Sequence, residues 1–106
     1  NSRDFKKVAP FIAENAEFTF TNGIFKGKKY IQNAFEDTWK KIQKEKYTIS
    51  DVVWTKTGYR NSICVNSFVS DGIIDGIRQV YSGKGKNILR RMDGNWRIIE
   101  EHLTKQ

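Results

Sequence analysis

Asn87, Glu100 and His102, all near the C-terminal end, are the residues whose types and spacing best suit chemistry. Glu100 and His102 flank a single residue, so on an extended strand their side chains share a face. A carboxylate beside an imidazole orients the ring and favours its protonated form, the pairing used in general acid–base catalysis. A lone histidine held by core hydrogen bonds is the structural alternative. The chain has one His and one Cys, too few for the usual ligand set of a structural zinc site, so no metal and no cofactor is expected. Cys64 sits in Ile63-Cys64-Val65, where a thiol packs as a small hydrophobe. With no internal disulfide possible, a reducing, cytoplasmic setting is expected.

The orientation of these residues depends on the hairpin that Asp93-Gly94 closes. Its register pairs Arg91 with Trp96 and Leu89 with Ile98, and an uninterrupted continuation pairs Asn87 with Glu100. Trp96, Ile98, Glu100 and His102 then share one face with Leu89 and Asn87. The opposite face receives Ile88, Ile99 and Leu103, with Arg90 facing Arg97. Like charges directly opposite favour water, so that second face is expected outside, its apolar residues forming a homodimer patch. The inward face is expected to line a pocket in which His102 and Glu100 are catalytic. Asn87, Trp54, Trp39, Tyr81, Leu89 and Ile98 are expected to contact the ligand. Asp51, Asp75, Tyr30 and Tyr47 supply the residue types that proton abstraction beside a carbonyl requires, but their spacing selects none of them.

The elements that must position this face follow from apolar periodicity. Phe5, Val8, Phe11 and Ile12 predict a short helix over Arg3 to Ala13, kinked at Pro10. Ala16, Phe18 and Phe20 alternate, and Asn22-Gly23 followed by Ile24-Phe25 completes a hairpin. Ile31, Ala34, Phe35, Thr38, Trp39 and Ile42 predict the one long helix, over Gly27 to Lys44. Four strands follow, Tyr47 to Lys56, Arg60 to Ser70, Ile73 to Met92 and Asn95 to Leu103. Thr57-Gly58, Asp71-Gly72 and Asp93-Gly94 supply the turns of an antiparallel meander. Gly83 and Gly85 within the third of these strands predict a bulge or sharp bend, and a phosphate cradle at Gly83-Lys84-Gly85 is disfavoured because strand, not helix, follows.

One α+β domain is therefore expected, a curved antiparallel sheet of about six strands wrapped around the long helix. At 106 residues and 38% hydrophobic, the chain can build one core. No run approaches the apolar length of a membrane span. The chain opens within the first helix, so a preceding segment is expected. The formal charge of +7 is consistent with an acidic partner. Its lysines, however, are spread over Lys26 to Lys29 and Lys40 to Lys46, where a solvated surface is the better reading and nucleic acid a weaker one.

The segment Tyr81-Ser82-Gly83-Lys84-Gly85-Lys86-Asn87-Ile88-Leu89-Arg90-Arg91 and the ending Asp93-Gly94-Asn95-Trp96-Arg97-Ile98-Ile99-Glu100-Glu101-His102 resemble the SnoaL-like group of the nuclear-transport-factor-2-like superfamily. Phe25-Lys26-Gly27 before the long helix and Ala13-Glu14-Asn15-Ala16-Glu17-Phe18 extend the likeness over nearly the whole chain. The resemblance implies a cone of bent sheet and helices, commonly dimeric, serving isomerisation, cyclisation, dehydration or plain binding of a small hydrophobic or anionic molecule. Fold alone does not choose among these. A scytalone-dehydratase-like site, expected to use more than one His, is disfavoured by the single His102. The ending is also similar to the association domain of calcium/calmodulin-dependent kinase, with Asn87 where that module's basic pocket would have an Arg. A non-catalytic homodimeric assembly module is thus the second expectation.

Overall fold

The computed structural model describes residues 4–20 and 23–105. Asp4 caps α1 (Phe5–Val8), its carboxylate accepting from the Lys6 backbone N at 3.0 Å. Pro10 lies in a 3₁₀ turn, Ala9–Phe11, and the chain is already extended at Ile12. The expected helix thus ends earlier than Ala13, because Pro10 cannot continue an α-helical ladder. Strands β1 (Ile12–Phe20) and β2 (Gly23–Lys26) form the anticipated hairpin, its Asn22 lying outside the described residues. Gly27, at a φ of 89°, turns the chain into α2 (Lys28–Lys41) while its N–H donates to the Ala16 carbonyl at 2.8 Å. Lys40 and Lys41 sit in the last turn of α2, where the helix dipole favours cations.

The rest is a meander of β3 (Gln43–Thr57), β4 (Asn61–Ile74), β5 (Ile77–Met92) and β6 (Asn95–Lys105). The six-stranded sheet runs β2-β1-β6-β5-β4-β3. Every neighbouring pair is antiparallel except β1 with β6, which is parallel and makes the sheet mixed. That pair arises because α2 and the meander carry the chain back to the first hairpin. The β4–β5 turn is Asp75-Gly76, both with positive φ, not Asp71-Gly72. Gly72 stays in the ladder opposite Gln79, where a Cβ would overlap the Ile42 side chain, while Asp71 receives a bidentate pair from Arg78 at 3.0 and 2.7 Å.

Alternate residues of β4, namely Ser62, Cys64, Asn66, Phe68 and Ser70, are buried and face the α2 side. The core lies at the other end of that face. Phe5, Ile12, Ala13, Ala16, Phe18 and Ile31 are buried together there, with Phe35, Trp39, Met92, Ile98 and Ile99 packed on them. Phe35 is its hub, with ring centroids 5.7 Å from Phe5, 6.1 Å from Phe18 and 5.6 Å from Phe20. No helix among the described residues is long and apolar enough to cross a membrane.

The bend expected at Gly83 and Gly85 takes another form. Both residues pair in register with β4 and β6, and the bulge lies instead on β6, where Leu89 pairs with Ile98 but Ile88 pairs with Glu100. The glycines serve close approach. A Cβ on Gly83 would overlap the Thr104 carbonyl and the Phe68 ring, and one on Gly85 would come within 2.7 Å of Asn66 Oδ1. Gly83→Ala should therefore lower stability by about 1–3 kcal/mol, as overpacked cores do. The solvent-facing neighbour Lys84→Ala should stay within about 0.5 kcal/mol. Urea midpoints of the two variants check this.

Candidate functional site

The bulge at Ile99 decides which side chains of β6 meet the helix side of the sheet. An extra residue lets Ile98 and Ile99 both join the core, and the alternation beyond them is shifted by one. Glu100 then pairs with Ile88 and His102 with Lys86, while Glu101 pairs with Asn87 and Leu103 with Gly85. The parallel partner agrees. Glu101 lies beside the buried Phe18, whereas Glu100 and His102 lie beside Glu17 and Thr19. The concave carboxylate is therefore Glu101. The expected inward placement of Glu100 and His102 is corrected, for the same one-residue shift that admits Ile99 to the core turns them outward.

On the concave face, Glu101 from β6 and Asn87 from β5 are cross-strand neighbours, with Cys64 of β4 and Trp54 of β3 completing that row. Tyr47 of β3 stacks on Phe68 with ring centroids 5.7 Å apart and planes at 14°. Beside it, Ser70 donates to Glu45 Oε2 at 2.6 Å. Some of the Glu101 surface still meets solvent, but the carboxyl group is enclosed by protein, and burial pushes its pKa up to about 7. Burial, followed by the charges of Glu101 and Glu45, pushes the Tyr47 phenol well above its ordinary range, so it is a neutral donor at any physiological pH. Asn87 Oδ1 is buried without a hydrogen-bond partner among the described residues. A carboxyl raised toward neutrality, a phenol and an unpartnered amide oxygen thus share the concave face with the Phe68 and Trp54 rings.

The other expected site residues fall in different places. Leu89 and Ile98 are paired as expected, and Ile98 belongs to the core. Trp39 stacks on Phe35 at 5.7 Å within the core cluster, so it supports the helix. Trp54 faces the concave side and is 52% exposed, as is Ile49 at 55%. Tyr81 lies on the same face, its hydroxyl 3.4 Å from Gln79 Oε1 and its ring under Lys105 Nζ at 3.9 Å. Tyr30 is exposed on α2, Asp51 sits at a β3 irregularity and Asp75 in a turn, which leaves Tyr47 as the member of that set on the concave face.

His102 and Glu100 do form the expected pair, Nε2 to Oε1 at 3.1 Å, on the outer face. His102 borders an open cleft of about 550 Å³ shared with Val53, Val65, Ser67, Lys84 and Lys86. Of the expected dimer patch only Ile88 remains outside, because the shift that exposes His102 takes Ile99 and Leu103 inward. Glu101 was missed as a site residue because it stood between two more conspicuous ones. The signal that finds it is the adjacent pair Ile98-Ile99, two core residues in succession where alternation allows one.

No family model matches the chain, and no curated protein matches it. Solved structures do. A hexachlorocyclohexane dehydrochlorinase (LinA) type 2 superposes with a TM-score of 0.91 at 14% identity, covering 98% of this chain and 73% of that one. An uncharacterised protein with a cystatin-like fold from Caulobacter vibrioides gives 0.82 at 16% identity, over 95% and 75%. A nuclear transport factor 2-like superfamily protein from Salmonella enterica serovar Typhimurium gives 0.80 at 16% identity, over 90% and 70%. At such identities the likeness establishes the fold.

If burial holds Glu101 protonated, the native state binds that proton more tightly than the unfolded chain does. Stability must then fall as pH rises from 4.5, the ordinary carboxyl value, to about 7, and level off above. Glu101→Gln removes this dependence. Its stability relative to the parent should rise across that window by at most about 3 kcal/mol, at roughly 1.4 kcal/mol for each pH unit. Chemical denaturation at pH 4.5 and pH 8 measures it.

Proposed function

From this cone of nuclear-transport-factor-2-like fold, we propose that the chain is a small-molecule pocket protein whose ligand sits on the concave face, anchored at Glu101. The observation that carries the reading is one enclosed carboxyl, Glu101, beside the neutral phenol of Tyr47 and the unpartnered oxygen of Asn87. These groups, set among Phe68, Trp54 and Ile49 on a face that also buries Ser62, Asn66 and Ser70, suit a molecule with an apolar body and a few oxygens. The exposed surfaces of Trp54 and Ile49 are the apolar wall such a molecule would cover.

A carboxyl that titrates near neutrality exists in both forms at working pH, the property general acid–base chemistry requires. As carboxylate, Glu101 would take a proton from carbon beside a ligand carbonyl. As acid, it would return that proton to another carbon of the same molecule, with the Tyr47 hydroxyl donating to the transient enolate oxygen. Atoms balance without a co-reactant, so the reaction class is isomerisation, and where the ligand offers no such proton the same groups simply bind it. A thermal-shift screen of hydrophobic ketones and acids tests the reading. Glu101→Ala and Tyr47→Phe should each weaken the best ligand at least about tenfold, as loss of a buried hydrogen-bond partner does. His102→Ala should leave affinity unchanged. Affinity that follows His102 and ignores Glu101 would refute it.

The outer face supports a second element of the proposal, pairing of two copies of the chain. Val53, Val69 and Val80 are exposed there beside Ile63, Val65 and Ile88, an apolar strip on strands that also carry charge. Sedimentation at tens of micromolar should give a dimer, and Val65→Glu should give a folded monomer. A parent chain that is monomeric at that concentration would remove this element.

A further inference from the structure

The fold gathers arginine where the sequence spreads lysine. Arg60 ends the β3–β4 connection, while Arg90 and Arg91 approach the β5–β6 turn, and pairing brings them to one tip of the sheet. The backbone N–H of Arg91 donates to the Arg60 carbonyl at 2.8 Å, fixing the two segments together. Arg90 Nε donates to Asn61 Oδ1 at 3.3 Å, and across the hairpin Arg90 faces Arg97. Among the described residues, none of these guanidinium groups has a carboxylate within ion-pair distance. Asp93, in the turn itself, is the acidic residue nearest in sequence. Like charges placed directly opposite are destabilising, so this end of the sheet favours an anion.

Aromatic rings are interleaved with the arginines. Tyr59 is 77% exposed and lies under Arg91, whose Cζ is 5.2 Å from the ring centroid. Trp96 pairs with Arg91 across the hairpin and is 38% exposed. Tyr59, Arg60, Asn61, Arg90, Arg91 and Gly94 line an open cleft of about 590 Å³. Guanidinium groups match phosphate through paired N–H donors, and an exposed ring offers a π-face to a flat heterocycle. Lysines at the end of α2 lack such interleaved rings.

We propose that this tip binds a nucleotide unit, its phosphate held by Arg60, Arg90 and Arg91 and its base stacked on Tyr59. The site is separate from the concave face and does not depend on the ligand proposed there. The unit is either a free nucleotide or one link of a single strand, and the probes distinguish them.

The experiment uses fluorescein-labelled decathymidylate, unlabelled ADP and inorganic pyrophosphate, with anisotropy and competition at low salt. Variants are Arg60→Ala with Arg91→Ala, Tyr59→Ala, and Lys40→Ala with Lys41→Ala as control, each checked for an unchanged melting temperature. The paired arginine change should weaken binding at least tenfold. Tyr59→Ala should weaken it about 5- to 100-fold, the range of one base–aromatic stack. The lysine control should do nothing. A strand that binds far more tightly than ADP, with log affinity falling against log salt by ~0.7 for each phosphate it engages, supports the single strand. ADP that matches the strand, with the same dependence on Tyr59, supports the free nucleotide. Three results overturn the proposal: neither probe binding at millimolar concentration, pyrophosphate binding as well as ADP, or affinity that follows the lysine change instead of the arginine change.

Discussion

The β-bulge at Ile99 is the constraint from which the rest of the concave face follows. Two successive isoleucines, Ile98 and Ile99, both reach the core around Phe18 and Phe35, and a regular strand cannot present adjacent side chains to one side. Burying the second isoleucine, on the order of 2 kcal/mol of apolar transfer, is what the irregularity secures. Its consequence lies downstream. Glu101 turns toward Phe18 and Asn87, and Glu100 and His102 turn toward Glu17, Thr19 and Lys86. The register also shifts in β1 between Ile12 and Glu17, against the same segment of β6. The two irregularities together mark where the core ends and the polar part of the cone begins.

Beyond that boundary the packing changes character. Phe5, Phe18, Phe20, Phe25, Phe35 and Trp39 form an aromatic core under α2. Towards β3 the same face carries Ser62, Asn66 and Ser70, buried polar residues, with Tyr47, Ile49 and Trp54 at the open edge. Gly83 and Gly85 let Phe68 and Asn66 lie close to the sheet, which deepens the face without interrupting the ladder. A buried carboxyl is stable in such surroundings mainly in its neutral form, the same property that lets it donate to a ligand oxygen. Proton abstraction by Glu101 would instead need the carboxylate, the form that burial disfavours.

Much of the scaffold was legible from period and turn chemistry. The stripe through Ile31, Phe35 and Thr38 marked the long helix, and Asp93-Gly94 correctly set Arg91 against Trp96 and Leu89 against Ile98. Asp71-Gly72 and Asp75-Gly76 carry the same local signal. The first pair stays in the strand, opposite Val80 and Gln79, and the glycine there answers to Ile42, distant in sequence, rather than to a turn. The parallel junction of β1 with β6 was likewise out of reach, since it is a property of chain closure. The site was readable as a segment but not as a face. One inserted residue reverses every assignment after it, and the core's demand for Ile99 is a tertiary fact.

The concave site depends on where the Glu101 carboxyl lies, and its titration reports that directly. Carbon-detected NMR of the side-chain carboxyl, followed from pH 3 to pH 9, resolves Glu101 from Glu100 by assignment. A midpoint near 7 is the expected result and reflects enclosure on the concave face. A midpoint near 4.5, the ordinary value, would place Glu101 in water and contradict the register on which the site depends.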